Sequence, residues 1–105
     1  MKVGIVETSD ISIVVQGPIV SNKDFYPNGW TNEALRRMRI HFPGAEIILS
    51  TWKGSNVDGL DYDVVVFNDD PGSAMSRNRP YNVNRQIVST KNGLAKASRK
   101  YALKT

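Results

Sequence analysis

Ile11-Ser12-Ile13-Val14-Val15-Gln16, preceded by Asp10 and closed by Gly17-Pro18, decides how the rest of the chain is read. β-Branched residues crowd into it, which suits an extended pleated segment, and Gly-Pro cannot prolong a strand, so it ends in a tight turn. Apolar side chains on successive residues, not on alternate ones, mark a strand buried on both faces, as inner strands of parallel sheets are. Glu46-Ile47-Ile48-Leu49-Ser50 and Asp63-Val64-Val65-Val66-Phe67-Asn68 repeat the pattern and predict a second and a third strand.

Between the first two strands, residues 19–30 form a polar loop with scattered aromatics, long enough to be suspected of function. Thr31 then reads as a helix N-cap with Glu33 in the first turn. Trp30, Ala34, Leu35, Met38 and Phe42 follow at helical spacing as a packing stripe, and Pro43-Gly44 ends the helix. Asn68-Asp69-Asp70-Pro71-Gly72 is a turn. After it, a long helix pattern opens near Asn84, with Ile87, Leu94 and Tyr101 repeating at seven, Val88, Ala95 and Ala102 beside them, and Ser98 on the same face. Asn92-Gly93 interrupts that pattern, because Gly costs about 1 kcal/mol against Ala inside a helix. Strand, helix, strand, strand, helix predicts a layered α/β protein with a parallel sheet. Such sheets bind ligands at the carboxyl ends of their strands, here Gln16-Gly17-Pro18, Ser50-Thr51-Trp52 and Asn68-Asp69-Asp70.

The chain has 105 residues, 40% of them hydrophobic and 23% charged, a composition that can offset chain entropy and fold. It contains no Cys, which removes disulfides, thiolate metal ligands and Cys nucleophiles, and points to the cytoplasm. Apolar runs as short as Ile13–Val15 and Val64–Phe67 are far below the ~20 residues of a membrane-spanning helix. The net charge of +4 hides an asymmetry: residues 1–70 hold all 10 acids and sum to −4, whereas residues 71–105 hold no acid and sum to +8. An anionic partner follows, whether nucleic acid, a nucleoside diphosphate, an anionic membrane face or an acidic segment of another chain; a solvated basic helix face accounts for most of the same residues equally well.

Neither Gly-x-Gly-x-x-Gly after the first strand nor Gly-x-x-x-x-Gly-Lys-Ser/Thr occurs, so the usual dinucleotide and P-loop cradles are missing. His41, the only His, lies in the first helix beside Phe42 as a packed or surface residue, and one His without any Cys cannot build a His- or Cys-based zinc site. Asp69-Asp70 looks like a metal pair, but adjacent residues at a strand end point apart, and Asp before Pro-Gly is turn chemistry. Asn84-Arg85 opens the second helix, where exposed N–H groups and an Arg can hold an anion. Asn84 as a simple cap and Arg85 as a solvated side chain is the equal alternative.

Several blocks in order resemble the WavE-type lipopolysaccharide-synthesis family: Val14-Val15-Gln16-Gly17-Pro18-Ile19; Arg39 followed by Pro43-Gly44-Ala45-Glu46-Ile47-Ile48-Leu49-Ser50-Thr51-Trp52; Asn68-Asp69 with Pro71-Gly72; Asn84-Arg85-Gln86-Ile87-Val88-Ser89-Thr90 with Gly93-Leu94; and Tyr101 with Leu103-Lys104. The resemblance runs from about residue 11 to the last residue. It implies a glycosyltransferase of the GT-A nucleotide-diphospho-sugar fold, a layered Rossmann-like, mostly parallel sheet with flanking helices, acting in surface-polysaccharide synthesis. On that resemblance Gln16, Gly17, Pro18, Ser50, Thr51 and Trp52 border the nucleoside, Asp69 or Asp70 reads a base or ribose group, and Arg85, beside Asn84, meets the diphosphate. The partners implied are a nucleoside-diphosphate sugar and a carbohydrate or glycolipid acceptor, in the cytoplasm or at the inner face of the membrane.

In GT-A enzymes the strand after this helix ends in an Asp-x-Asp motif holding Mg²⁺ or Mn²⁺, whereas this sequence stops at Leu103-Lys104-Thr105. Residues 1–105 are therefore expected to be the nucleotide-binding half of an incomplete domain, inactive and metal-free alone, with the metal site and acceptor half beyond Thr105. An incomplete sheet would leave Ile11–Gln16 as an open edge and invite self-association through it. Two rivals stand beside the transferase. One is a small basic nucleic-acid-binding module using Arg77, Arg79, Arg85, Lys91, Arg99 and Lys100; the other is a non-catalytic scaffold.

Overall fold

The computed structural model describes residues 6–72 and 83–105 in full, and residues 2–3, 74–76 and 79–81 by their backbone. Short β1 (Lys2–Val3) and β2 (Val6–Glu7) pair antiparallel, and a single 3₁₀ turn over Thr8–Asp10 leads into β3 (Ile11–Gln16). Helix α1 (Gly29–His41), β4 (Glu46–Trp52) and β5 (Val64–Asn68) follow. An antiparallel pair, β6 (Ala74–Ser76) with β7 (Arg79–Tyr81), precedes α2 (Val83–Ala95) and β8 (Tyr101–Lys104). One four-stranded sheet organises the molecule, in the order β5-β4-β3-β8 and parallel throughout. The layered, Rossmann-like α/β class expected from the sequence is the class observed.

Register sorts the side chains. Ile13 stands opposite Ile47 and Val15 opposite Leu49, and this face meets α1. Ile11, Ile13 and Ala45 are buried there, with Met38, Phe42, Val6 and Val15 packed against them. On the other face, which meets α2, Ser12 pairs with Glu46, Val14 with Ile48 and Gln16 with Ser50. Beyond Ser50 lie Val66 and, opposite Trp52, Asn68. A Cβ on Gly93 would stand 2.5 Å from Val14 Cγ1 and 3.1 Å from Ser50 Cβ. Glycine at this position is thus what lets the helix backbone come down onto the sheet; the residue that looked like an interruption is the contact itself.

Four expectations are corrected by these elements. Tyr101 does not continue α2: the helix ends at Ala95, turns close through Lys96 N–H to Gly93 O and Ala97 N–H to Leu94 O, and Tyr101–Lys104 becomes a strand. The sevenfold repeat misled because Ile87 (58% exposed) and Leu94 (40%) face outward, while the buried residues of α2 are Ser89 and Gly93. Ile11–Gln16 is no open edge, since β8 pairs with it on one side and β4 on the other; self-association through this strand is therefore not available, and the sheet's edges are β5 and β8. Thr31 lies inside the first turn of α1, preceded by Asn28 at the cap position. Its hydroxyl instead accepts from Val20 N–H at 2.8 Å, tying down the loop after β3. Finally, Trp30 leaves the packing stripe: it is 46% exposed and meets Tyr26 edge-on at 4.6 Å.

Candidate functional site

Parallel strands present their carboxyl ends together, and the order of this sheet reverses beside β3, with β4 and β5 on one side and β8 on the other. Ligands of open α/β sheets bind at such a reversal. A cleft of about 390 Å³ lies there on the α2 face, lined by Gln16, Gly17, Pro18, Trp52, Asp70, Arg85, Gln86 and Ser89. Gly17 turns the chain out of β3 with φ of +119°, a backbone region that L side chains rarely adopt, and its N–H is held by Ser50 O at 3.0 Å.

Of the residues selected from the sequence, Gln16, Gly17, Pro18, Trp52, Asp70 and Arg85 come together around this cleft. Ser50 and Thr51 do not: both are fully buried, Ser50 beneath the cleft and Thr51 on the opposite face of the sheet. Asp69 points elsewhere, into an exposed pair with Lys53 at 2.8 Å, and Asn84 is an exposed second residue of α2 outside the lining. Asp70 and Arg85, given separate roles above, are joined. Arg85 Nε donates to Asp70 Oδ1 at 2.8 Å and Nη2 to Oδ2 at 3.1 Å. Asp70 Oδ1 also accepts the Gly72 N–H at 2.8 Å, the side-chain-to-backbone turn that Asp-Pro-Gly foreshadowed. Arg85 and the Gly72 N–H hold the Asp70 carboxyl below the ordinary range, and Asp70 in turn raises the Arg85 guanidinium.

The sequence reading missed Gln86 and Ser89, and with them the polar support under the cleft. Ser89 Oγ lies 2.7 Å from Gln16 Oε1 and 2.8 Å from Arg85 O. Ser50 Oγ donates to Ser89 O at 2.7 Å and accepts from Asn68 Nδ2 at 2.9 Å. Asn68 Nδ2 also reaches Thr51 O at 2.8 Å, and Asn68 Oδ1 accepts from Asn92 Nδ2 at 2.8 Å. Because a main-chain carbonyl can only accept, Thr51 O fixes which end of the Asn68 amide faces it, and the relay through Ser50 to α2 follows from that one choice. The signal was present as Gln86, Ser89 and Gly93, small or polar residues at spacings of three and four, but aliphatic periodicity spoke louder.

Among the described residues, the basic side chains Arg85, Lys91, Arg99 and Lys100 do not gather into one surface. Arg85 stands at the carboxyl end of the sheet, while Arg99 and Lys100 lie in the turn leading to the amino end of β8, not on the outer face of α2. Arg99 contacts Ser9 O and gives its N–H to Ser12 Oγ at 3.1 Å, and Lys100 lies over the Tyr101 ring at 5.6 Å. Lys91 lines a separate groove beside α2, and the Arg77 and Arg79 side chains lie outside the described residues. Among the described residues no three His, Asp or Glu side chains come together to hold a metal ion. Nor is any described helix long and apolar enough to cross a membrane.

The sheet order, with a cleft at its reversal and a helix N-terminus beside it, defines a Rossmann-like α/β unit. The family model for WavE lipopolysaccharide synthesis matches residues 11–105, and the chain belongs to that family. Comparison with curated proteins and with solved structures gives no match.

Proposed function

We propose that this chain is the nucleotide-binding portion of a glycosyltransferase of lipopolysaccharide or surface-polysaccharide synthesis, taking a nucleoside-diphosphate sugar in the cleft at the carboxyl ends of β3 and β4. One observation carries the reading: Gln16, Gly17, Pro18, Trp52, Asp70 and Arg85, separated by up to 69 positions, line a single cleft at the reversal of a parallel sheet in a protein of this family. The half-buried indole of Trp52 offers a planar surface to a base, and Gln16 and Gln86 offer amides to its edge or to the ribose. Arg85 and the first turn of α2 are the donors nearest to where a diphosphate would lie. In transfer, an acceptor hydroxyl of a carbohydrate or glycolipid attacks the anomeric carbon and releases its proton, the bond from that carbon to the phosphate oxygen breaks, and the electron pair leaves with the nucleoside diphosphate.

Trp52 makes the test direct. In a Trp30→Phe background Trp52 is the remaining indole, since the chain has two Trp. Nucleoside diphosphates of the four common bases, and their sugar conjugates, are titrated against its fluorescence and by calorimetry. Saturable quenching that Arg85→Ala weakens supports the reading. Absence of heat and quenching with every nucleotide overturns it and leaves the scaffold alternative, while tighter binding of any DNA or RNA strand than of nucleotides favours the nucleic-acid alternative.

A further inference from the structure

We propose that Asp70 restrains the cleft's attraction for anions, so that phosphate groups gain Arg85 only when the rest of a nucleotide is bound as well. The proposal rests on the reading of the cleft as a nucleoside-diphosphate site. Two hydrogen bonds place the Asp70 carboxylate on the Nε and Nη2 edge of Arg85, at 2.8 and 3.1 Å. A third, from Gly72 N–H at 2.8 Å to the same Oδ1, anchors that carboxylate to its own turn, where Pro71 limits the backbone. The carboxylate is thus a fixed part of the rim. As an intramolecular partner it loses no translational freedom in pairing with Arg85, whereas an incoming anion must lose it. Arg85 and the turn hold Asp70 below the ordinary carboxylate range, so the restraint persists at neutral pH.

The remaining lining residues, Gln16, Gly17, Pro18, Trp52, Gln86 and Ser89, carry no charge. Free phosphate or pyrophosphate brings only charge to this cleft, and there it meets a guanidinium already bonded to a carboxylate that repels it. A nucleotide also brings a ring for Trp52 and hydrogen-bonding groups for Gln16 and Gln86, contacts that do not depend on charge. Asp70 lowers charge-driven affinity for every phosphate alike, so a small anion with no other contact is held too weakly to stay, while a nucleotide held also through Trp52, Gln16 and Gln86 remains bound.

The test compares the parent protein with Asp70→Asn and Asp70→Ser. The amide variant retains an Oδ1 for Arg85 Nε and Gly72 N–H but sets a donor against Nη2, and the Ser variant removes the charge without that conflict. Each is titrated calorimetrically with inorganic pyrophosphate, a nucleoside diphosphate and the corresponding nucleoside, at two salt concentrations. Both variants should bind pyrophosphate and the diphosphate about tenfold more tightly, the scale of one unit charge a few ångströms away across water, with steeper salt dependence and unchanged nucleoside affinity. Unchanged or weaker diphosphate binding overturns the proposal, and so does a loss of nucleoside affinity, which would make Asp70 a direct contact to base or ribose. Failure of every form to bind any of the three overturns the nucleotide reading and this proposal together. Nucleoside binding without a gain for the phosphates overturns the proposal alone.

Discussion

The two faces of the sheet are built on opposite principles. Toward α1, the sheet contributes an apolar layer: Ile13, Ile47 and Leu49 are buried and offer no polar side-chain atom. Toward α2, Ser12, Ser50, Ser89 and Asn68 are as deeply buried, and a chain of hydrogen bonds runs from Asn92 through Asn68 and Ser50 to α2. Hydrophobic burial has no direction, so the α1 face can hold the fold together without fixing any single angle. Hydrogen bonds have direction, so the α2 face fixes where the helix lies and which way its first turn is aimed. The cleft stands at the end of the second face.

If that division is right, damage to the α1 face should cost stability and spare the cleft. Ile13→Ala, at a side chain with no exposure, should destabilise by about 2–5 kcal/mol in urea unfolding. Nucleotide affinity, measured where the variant is still folded, should stay near that of the parent; a large loss of affinity would break the comparison.

Asn68→Ala should cost less and do the opposite. It leaves Thr51 O and Asn92 without their partners and removes the donor that orients Ser50, a loss of about 1–3 kcal/mol. Affinity for nucleoside diphosphate should fall at the same time, because α2 loses its reference point on the sheet. Unchanged affinity in a folded Asn68→Ala protein would reduce the relay to packing.

Gly93→Ala is more finely balanced. The better helix propensity of Ala returns about 1 kcal/mol. Forcing a methyl to within 2.5 Å of Val14 Cγ1 costs about 1–3 kcal/mol, so a small net loss is expected. Adding Val14→Ala should make the pair of changes cost less than the sum of the two single ones, and strict additivity would show that the helix has simply moved away.

The smallest effect concerns pH, and it lies at the amino end of the sheet, with Glu46 on the α2 face and Asp63 paired to Arg39 of α1. Burial raises the Glu46 carboxyl, but donation from Ser98 and Ser12 and the charge of Arg99 outweigh it, so its net position is below the ordinary value. Asp63 behaves alike: burial pulls it up, and the Arg39 guanidinium with the Ile47 N–H brings it below. Carboxyls lowered in the folded protein bind protons more readily when unfolded, so their contribution is complete above the unfolded values of about 4 and is lost as pH falls through the lowered folded ones. The urea midpoint should be flat from pH 7 to about 5 and decline below that. Arg39→Met should flatten part of the decline; an unaltered curve would remove Asp63 from the account.

Much of the α1 face was legible beforehand. β-Branched runs at 11–16, 46–50 and 63–68 gave the three strands to within two residues, and Leu35, Met38 and Phe42 gave the packing of α1, because an apolar side chain announces its own burial. Trp30 was the exception, placed by its spacing in a stripe that the helix turns toward solvent. The α2 face was not legible in the same way. Ile87 and Leu94 are apolar and exposed, Ser89 and Gly93 are polar or small and buried, and a periodicity that counts apolar residues selects the wrong side of such a helix. Arg85 and Asp70 were each singled out as candidates and both line the cleft, but 15 positions of intervening chain concealed that they bond to each other.

By itself the sequence determined the class of fold, the burial of Ile11–Gln16 on both faces, the turn at Asp70-Pro71-Gly72 and the residues worth watching at the strand ends. These depend on the preferences of a few neighbouring residues, and such preferences are written locally. Tertiary structure alone decided that Tyr101–Lys104 leaves the helical pattern to cover β3, that Gly93 is a point of contact, and that Asp70 occupies Arg85. Each of these joins segments far apart in the chain, and a pairing across that distance is settled by which strands lie side by side and how closely a helix can approach them, quantities that no local run of residues encodes.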